Sequence, residues 1–412
     1  MRILWVTTNF LHPTTRGGKI RTLEMLRRLH RRHEIHFVAI EDPREPEGPA
    51  RAPEYATRAY PFQHRGADKR WPAFVLELSK SVLDSEPLSI RRFHPPAMGA
   101  FLAQLIEKER FDREVCDFLT PASYFPNIER AVLFQHNVET MIWRRHAEHA
   151  GNPAVRWYMR KQADRMFRFE RDICRRAGHI AAVSEQDAET MRELFGVERV
   201  TAIPTGVDIE FFTPPDPAPA ADADLAFVGA MDWRPNIDGV RWFVREALPL
   251  IRRVRPDCSL TIVGRTPLPP VAALAREDPR IRVTGTVADI RPHLWRSAVS
   301  IVPLRIGGGT RLKIYESMAG GVPVVSTSVG AEGLEIHPPE DIRIADLPAD
   351  FAAACLELLS DPSLRRRQTA AAREMVAANF SWEQVARCFE RVLEMAVPEP
   401  ARQGSAAGAG GS

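Results

Sequence analysis

The residues best suited to chemistry lie close together late in the chain. Three consecutive glycines (307–309) follow an apolar run, and Thr310, Arg311 and Lys313 come next, at the start of a helical pattern. A strand, a glycine turn and a helix N-terminus bring unpaired backbone N–H groups and the positive helix end to one point. Two cations beside that point would bind a doubly charged phosphate group. The stretch therefore predicts a phosphate site.

The placement of these cations favours a bound anion. Cations in the first turn of a helix oppose its dipole, so Arg311 and Lys313 are unfavourable there unless an anion compensates them. Lys313 is also the only lysine after Lys161 in an arginine-rich chain. The simpler alternative is a solvated first turn.

Length and composition indicate a soluble protein of two domains. A chain of 412 residues exceeds one ordinary core. It is 44% hydrophobic and 26% charged, with no apolar run long enough for a bilayer and no signal peptide, so we expect a cytoplasmic protein. The five cysteines form no CxxC pair and are expected to be reduced, buried thiols.

The positive charge is concentrated in the first half. Residues 1–200 contain 33 Lys and Arg against 27 Asp and Glu, although the whole chain carries only +3. The basic helical segments 19–32 and 155–177 could meet an anionic membrane surface or an anionic substrate, and solvated helix faces are the simpler explanation. No nucleic-acid-binding motif accompanies the charge, so nucleic acid is not expected as a partner.

Strands and helices alternate along the whole chain, which predicts parallel α/β sheets. The first series of strands is expected near 1–8, 35–40, 111–119, 131–135 and 179–184, with 43–72 irregular. The second series starts at 225 and continues near 259–264, 281–287, 300–304 and 322–327. Between them, PPDPAPAADA (214–223) is typical of a linker.

The predicted fold class is α/β, with two Rossmann-like, doubly wound parallel-sheet domains facing a central cleft. The expected boundaries are an N-terminal acceptor-binding domain at 1–210, a linker at 211–224 and a donor-binding domain at 225–380. A last helix at 381–397 is expected to pack back on the N-terminal domain, followed by a flexible tail at 398–412.

Short motifs in a fixed order carry a family resemblance. They are Arg16-Gly17-Gly18, Gln135-His136-Asn137-Val138-Glu139, Pro204-Thr205-Gly206-Val207-Asp208, Phe227-Val228-Gly229, Met231-Asp232-Trp233-Arg234-Pro235-Asn236, Val263-Gly264, Gly285, and Glu316 followed by Gly320 to Val325. In this order and spacing the chain resembles the GT-B fold glycosyltransferases of family 4, which are retaining enzymes with nucleotide-sugar donors. Within that family it is similar to sugar transferases of exopolysaccharide synthesis.

The resemblance implies a set of donor contacts. Gly17 and Gly18 would let backbone amides approach the donor phosphates. The family's phosphate-binding Arg and Lys follow the first strand of the second domain, where this chain has Arg234 but no lysine. Arg311 and Lys313 would supply the missing charge.

Other roles follow from the same resemblance. Glu316 matches the second acid of the family's E-x7-E motif, which binds the ribose, whereas the first acid is replaced by Gly308. Gly285 would flank the base, and His136 would lie near the sugar's C6 hydroxyl. The remaining donor-site residues are expected to be Asp232, Gly309 and Thr310.

The implied reaction transfers a sugar from a nucleotide-diphosphate sugar to a glycan or lipid-linked glycan acceptor, without a cofactor or metal. Asp222-Ala-Asp224 has the spacing of a metal-binding DxD but lies in the predicted linker, and His146 and His149 lack a third ligand. Two alternatives remain open: a nucleotide-sugar epimerase of the same fold, and a non-catalytic nucleotide-sugar-binding relative.

Overall fold

The structure is a computed structural model, and it describes residues 1–14, 17–63, 86–93, 95–148, 152–217, 219–306 and 312–395. The chain divides into two compact units. The first unit comprises Met1–Ile203 and Ala386–Ser412, and the second comprises Pro204–Val385. The predicted tail lies outside the described residues.

The first unit is built on a sheet of seven parallel strands in the order β3-β2-β1-β4-β5-β6-β7. The strands are β1 (Arg2–Asn9), β2 (Glu34–Glu41), β3 (Arg58–Gln63), β4 (Arg113–Asp117), β5 (Ala131–Gln135), β6 (His179–Ala182) and β7 (Val200–Ala202). The interior strands β1 and β5 are mostly buried, because helices cover both faces of a parallel sheet.

Helices connect the strands of the first unit. They are α1 (Gly17–Leu29), α2 (Glu47–Ala50), α3 (Leu88–Arg91), α4 (Pro96–Glu109), α5 (Glu139–Glu148), α6 (Pro153–Arg176) and α7 (Glu185–Phe195). Local signals start them: Asn152 caps α6 and Ser184 caps α7 through side-chain acceptors. Helix α1 buries Leu23, Leu26 and Leu29 at helical spacing.

The second unit contains a six-stranded parallel sheet in the order β10-β9-β8-β11-β12-β13. Its strands are β8 (Ala223–Val228), β9 (Leu260–Val263), β10 (Ile281–Val283), β11 (Ser297–Val302), β12 (Val324–Ser326) and β13 (Arg343–Ile344). Its helices are α8 (Ile209–Phe212), α9 (Arg234–Trp242), α10 (Leu248–Val254), α11 (Pro269–Glu277), α12 (Arg291–Trp295), α13 (Leu312–Ala319), α14 (Pro348–Ser360), α15 (Pro362–Asn379) and the start of α16 (Trp382–Met395). The prediction of two doubly wound parallel sheets is confirmed.

The two sheets share one topology. In each, the strand order reverses beside the unit's first strand, between β1 and β4 in the first unit and between β8 and β11 in the second. Ligands of open α/β sheets bind at such a reversal, outside the carboxyl ends of the strands. This places the candidate sites at the loops that follow β1, β4, β8 and β11.

Two sequence expectations differ from the structure. The segment 43–72 is not wholly irregular, because β3 and two short helical turns lie in it. The predicted linker 211–224 belongs to the second unit, since the units divide after Ile203. Its first residues are held there by contacts: Phe212 is buried in the second core, and its carbonyl accepts a hydrogen bond from Trp295 at 2.8 Å.

The last helix is shared between the units. The second unit ends at Val385, within α16, and the rest of that helix belongs to the first unit. Phe389 lies with its ring centroid 5.2 Å from that of Trp5 and 5.1 Å from that of Phe134. Aromatic burial of this kind fixes this part of α16 against β1 and β5.

Candidate functional site

Lys313 lies at the strand-order reversal of the second sheet. It projects from the first turn of α13, and its Nζ donates to Oδ1 of Asn236 at 2.9 Å, in the first turn of α9. The same ammonium lies 4.5 Å from the ring centroid of Phe227 in β8. Asn236 is itself fixed, because its Nδ2 donates to the carbonyl of Ala230 at 2.8 Å. The lysine therefore places its charge beside the loop that follows β8.

Glycines make room for this arrangement. A Cβ on Gly229 would lie 2.7 Å from both Asn236 Nδ2 and Lys313 Nζ. A Cβ on Gly264 would lie 1.8 Å from the carbonyl oxygen of Gly229. Both positions exclude a side chain, so the backbone after β8 runs unusually close to the lysine and to the end of β9.

Arg234 begins α9 at the same edge of the sheet. Its side chain is exposed and forms no hydrogen bond or ion pair with any part of the chain that the structure describes. Asp232 lies two residues earlier, with Oδ2 4.0 Å from Nε of Arg265, and is exposed too. The positive N-terminus of α9, Arg234 and Lys313 thus meet at one edge, which suits an anion.

Glu316 lies one helical turn after Lys313 in α13. Desolvation raises the pKa of its carboxyl group to about 7, and the positive charge of Lys313 opposes this rise. A carboxyl held in this way is ready to accept hydroxyl groups from a ligand, which restore the hydrogen bonds that burial removes.

Gly285 follows β10 with φ of +70°, and a Cβ there would meet nothing within 4 Å. The position needs glycine for its backbone conformation rather than for space. Gly309, Thr310 and Arg311, together with Gly308, lie outside the described residues, so their expected roles stay predictions.

In the first unit, His136 directly follows β5 and is only 7% exposed. Its Nε2 lies 2.8 Å from Oδ1 of Asp117, the last residue of β4. The other carboxylate oxygen of Asp117 accepts hydrogen bonds from Trp5 Nε1 and Thr22 Oγ1, both at 3.0 Å. Asp117 is thus a buried residue that orients the histidine ring.

The pair with Asp117 sets the tautomer of His136. An ionised carboxylate only accepts, so Nε2 carries the proton and Nδ1 keeps its lone pair in the neutral ring. Burial lowers the pKa of His136, although Asp117 acts in the opposite direction. Nδ1 is buried and has no hydrogen-bond partner among the residues with described positions. It is available to accept a hydroxyl group.

Phe118 packs against the histidine. Its ring is stacked on that of His136, with centroids 3.8 Å apart and planes inclined by 9°. Its φ of +74° is rare for a bulky residue and marks a constrained backbone. A Cβ on Gly18 would lie 2.7 Å from Phe118 Cζ and 3.5 Å from His136 Nδ1, whereas one on Gly17 would meet nothing within 4 Å. Only the second glycine is required by contact.

Sequence reasoning missed Asp117 and Phe118. The available signal was a polar residue closing the buried strand Arg113–Asp117, at the edge of the sheet where ligands bind. Asp117 resembled any residue at the start of a loop, because its partners Trp5 and Thr22 are 112 and 95 residues away.

The acidic pair Asp222 and Asp224 has a structural explanation. Asp224 lies in β8, not in a linker as predicted, and its Oδ2 accepts from the backbone N–H and the hydroxyl of Ser259 at 2.9 and 3.1 Å. His146 lies in α5, and His149 is outside the described residues. Where positions are described, no group of three or more His, Cys, Asp or Glu could hold a metal ion.

Four of the five cysteines are buried free thiols, and Cys388 is partly exposed. No helix in the described part of the chain combines the length and apolar character that crossing a bilayer requires.

Comparison with known families covers most of the chain. Residues 15–211 match the family described as Glycosyltransferase Family 4, and residues 222–361 match the family described as Glycosyl transferases group 1. Glycogen synthase of Mycobacterium tuberculosis is 25% identical over 60% of this chain and 61% of its own length. A GDP-mannose-dependent alpha-(1-6)-phosphatidylinositol monomannoside mannosyltransferase of the same organism is 29% identical over 52% of this chain and 62% of its own. The chain thus spans about three fifths of the length of these curated relatives.

Solved structures share the fold. Sucrose-phosphate synthase of Thermosynechococcus elongatus superposes with a TM-score of 0.64 at 17% identity, covering 96% of this chain and 98% of that one. HepE of Anabaena, in complex with UDP, superposes with a TM-score of 0.64 at 14% identity, covering 96% of this chain and 100% of that one. At such identities the likeness concerns the fold alone, and it agrees with the two family matches. The chain belongs to the GT-B fold glycosyltransferases of family 4.

Proposed function

We propose that this protein transfers a sugar from a nucleotide-diphosphate sugar to a glycan or lipid-linked glycan acceptor, with retention of configuration, in exopolysaccharide synthesis. One observation carries the proposal. Lys313 comes from α13 to the loop after β8 and is held there by Asn236, at the strand-order reversal of the second sheet. It supplies a lysine that this loop lacks in sequence.

The chemistry needs positive charge more than it needs a nucleophile. As the donor breaks, negative charge builds on the departing diphosphate while the sugar becomes oxocarbenium-like. Lys313, Arg234 and Arg311 would stabilise that diphosphate, together with the N-terminus of α9. Loss of one such donor is expected to raise the barrier by roughly 2–4 kcal/mol. The proposed mechanism uses no cofactor and no metal ion.

The remaining residues orient the donor. Nδ1 of His136 would accept a sugar hydroxyl, since Nε2 is committed to Asp117. Glu316 would accept hydroxyls of the ribose, and Gly285 would flank the base. Asp232, Gly17, Gly18, Gly309 and Thr310 would line the phosphates through their backbone. Retention would follow if the leaving diphosphate itself removes the acceptor's proton on the face that it leaves.

The names of similar proteins indicate which nucleotides to test first. HepE structures contain UDP or UDP-glucose, and the mannosyltransferases are named as dependent on GDP-mannose. Uridine and guanosine diphosphate sugars are therefore the first donors to test.

An anionic membrane surface is proposed as a further partner. In helix α6, Val155 and Trp157 are exposed to solvent by 45% and 57% of their surface. Nζ of Lys161 lies 5.3 Å from the ring centroid of Trp157. A tryptophan beside cations suits the interface of an anionic bilayer. Sedimentation with phosphatidylglycerol vesicles at low salt tests this: binding that Trp157→Ala and high salt both weaken is expected, and wild-type protein left in the supernatant would contradict it.

Incubation with a panel of nucleotide sugars, with and without lipid-linked acceptors, tests the proposed activity. We expect nucleotide release that depends on acceptor, and a product whose anomeric configuration matches the donor. An isomerised donor would indicate the epimerase, and tight donor binding with neither product would indicate the non-catalytic relative. Lys313→Gln should slow release by roughly a hundredfold to a thousandfold. Arg296→Gln is the matched control, because Arg296 lies at the opposite edge of the same sheet, before β11, paired with Asp222.

A further inference from the structure

Arg21 is a partly buried cation that has no partner among the described residues. It lies in the second turn of α1, the helix that follows the loop after β1. Its Nε–H is buried and finds no acceptor, and its guanidinium forms no hydrogen bond or ion pair within the described part of the chain. Two other arginines of the same helix are paired: Arg27 and Arg28 lie 2.7 and 2.5 Å from carboxylate oxygens of Glu24.

The guanidinium interacts electrostatically with groups at three neighbouring strand ends, and Thr22, the next residue of α1, donates to one of them, Asp117, at 3.0 Å. The carboxylates that act on it electrostatically are Asp187 and Asp117, and its own charge acts on His136. Asp117 ends β4, His136 follows β5, and Asp187 begins α7 after β6. Arg21 is therefore at the carboxyl edge of the first sheet, where α/β sheets bind ligands.

The two nearby carboxylates accept hydrogen bonds from groups other than Arg21. The oxygens of Asp117 accept from His136, Trp5 and Thr22, and Oδ2 of Asp187 accepts from the hydroxyl of Ser184 at 2.8 Å. Among the residues with described positions, none accepts a hydrogen bond from the guanidinium, which carries five N–H donors. Burial of the Nε–H without an acceptor costs free energy.

Other polar groups at the same edge of the sheet are also suited to binding a ligand. Burial lowers the pKa of Arg21 to about 10, because the charged form is poorly solvated there. Nδ1 of His136 is unpaired too, in a side chain that is nine-tenths buried. The first N–H groups of α1 lack intrahelical partners, as at any helix start. Donors for an anion and an acceptor for a hydroxyl therefore meet at one place.

We propose that Arg21 binds a phosphoryl group of a substrate, at the carboxyl edge of the first sheet and beside a hydroxyl that donates to His136 Nδ1. The planar guanidinium fork suits two oxygens of one phosphate, and an anion offsets the partly buried charge. This proposal rests on the proposed function, and it adds a specific anion contact in the first unit. The phosphoryl group belongs either to the donor's diphosphate or to a phosphorylated acceptor.

A structural role is the competing explanation. Arg21 could serve only to balance the charges of Asp117 and Asp187, without contacting any ligand. In that case Arg21→Gln would lower the melting temperature of the ligand-free protein and leave phosphate affinity unchanged. The ligand role predicts the reverse: an equal or higher melting temperature and weaker phosphate binding.

Titration of the full-length protein with inorganic phosphate and with UDP, followed by phosphorus NMR and calorimetry, separates these explanations. Arg21→Gln is expected to weaken one phosphate site by roughly tenfold to a hundredfold, as for loss of a charged hydrogen-bond donor. That site should persist in Lys313→Gln if the phosphoryl group belongs to the acceptor, and should weaken there too if it belongs to the donor's diphosphate. Arg28→Gln is the control on the same helix and should bind like the wild type.

The two sources give different results. Weaker binding of both UDP and phosphate identifies the donor's diphosphate, whereas weaker phosphate binding with unchanged UDP binding identifies the acceptor. Unchanged binding of both probes overturns the proposal. Should Arg21→Gln not fold, Arg21→Lys replaces it, because it keeps the charge and loses the fork: weaker phosphate binding supports the contact and wild-type binding overturns it. These are binding measurements, so they remain readable even if no nucleotide sugar is ever turned over.

Discussion

The ammonium of Lys313 lies 2.9 Å from Oδ1 of Asn236, although 77 residues separate the two in sequence. Each begins a helix that follows one of the two central strands of the second sheet. The contact joins the two helix starts at the strand-order reversal and leaves the lysine charge beside both. A fixed cation at this point costs no reorganisation when a diphosphate binds.

If Asn236 holds Lys313 in place, their effects on activity must be coupled. Lys313→Gln is expected to lower kcat by roughly a hundredfold to a thousandfold, and Asn236→Ala by about tenfold, because the charge remains but is no longer oriented. In the Lys313→Gln background, Asn236→Ala should add little. A double-mutant cycle on kcat/KM measures this, and additive losses would show that the two residues act separately.

The carboxyl group of Glu316 predicts a pH-dependent stability. Its pKa of about 7 in the folded chain exceeds the ordinary value of 4.5, so the folded state holds the proton more tightly than the unfolded state. Stability contributed by the neutral form is therefore lost as pH rises from about 4.5 to about 7, and the loss is complete above it. At about 1.4 kcal/mol for each pKa unit, the full loss is about 3 kcal/mol.

Glu316→Gln removes this titration while keeping the shape of the side chain. The variant should be more stable than the wild type at pH 8 by about 3 kcal/mol and nearly equal to it at about pH 4. Urea unfolding at the two pH values measures the difference, and other titrating groups cancel in the comparison. A stability difference that does not change with pH would contradict the prediction.

Gly18 and Gly17 offer a matched pair of substitutions. Gly18→Ala places a Cβ 2.7 Å from Phe118 Cζ and must displace the ring that is stacked on His136, whereas Gly17→Ala meets nothing within 4 Å. We expect Gly18→Ala to reduce kcat/KM by roughly tenfold to a hundredfold through misplacement of the histidine. Gly17→Ala should stay within about twofold, since it adds no contact. Equal losses in steady-state assays would mean that the loop backbone matters and the Phe118 contact does not.

Asp117→Asn should reverse the tautomer of His136. The asparagine can present its amide N–H₂ to Nε2, so the ring proton moves to Nδ1, and that atom then donates instead of accepting. Because Trp5 and Thr22 still find an oxygen, the fold should persist. We expect kcat/KM to fall by about tenfold to a hundredfold. Nitrogen NMR of the imidazole reports the tautomer, and an unchanged tautomer with full activity would remove Asp117 from the site.

The sheets could be predicted from the sequence because their strands are short apolar runs bounded by turn residues, as in β1 and β5. Strand β3 could not, since it is an edge strand with alternating exposure and contains Pro61. The division after Ile203 was also missed, because proline-rich composition does not reveal that Phe212 is buried in the second core.

The candidate site was predictable where local motifs carry it and not where distant residues meet. His136, Arg234 and Glu316 stand in recognisable motifs, and Lys313 is conspicuous as an isolated lysine. The partners of Asp117 and the anchoring of Lys313 by Asn236 depend on tertiary contacts across 77 to 112 residues. Arg21 has no distinguishing local signal, because its helix contains other basic residues that are ordinarily paired.

The central claim is that cationic side chains of the second unit bind the donor's diphosphate. Calorimetric titration of UDP, GDP and ADP into the full-length protein in the presence of EDTA tests it most directly, with Arg311→Gln/Lys313→Gln as the paired variant. We expect one of the nucleotides to bind the wild type with micromolar affinity in EDTA and to bind the double variant about a hundredfold or more weakly. Wild-type affinity in the double variant, or binding that appears only when a divalent ion is added, would contradict the account.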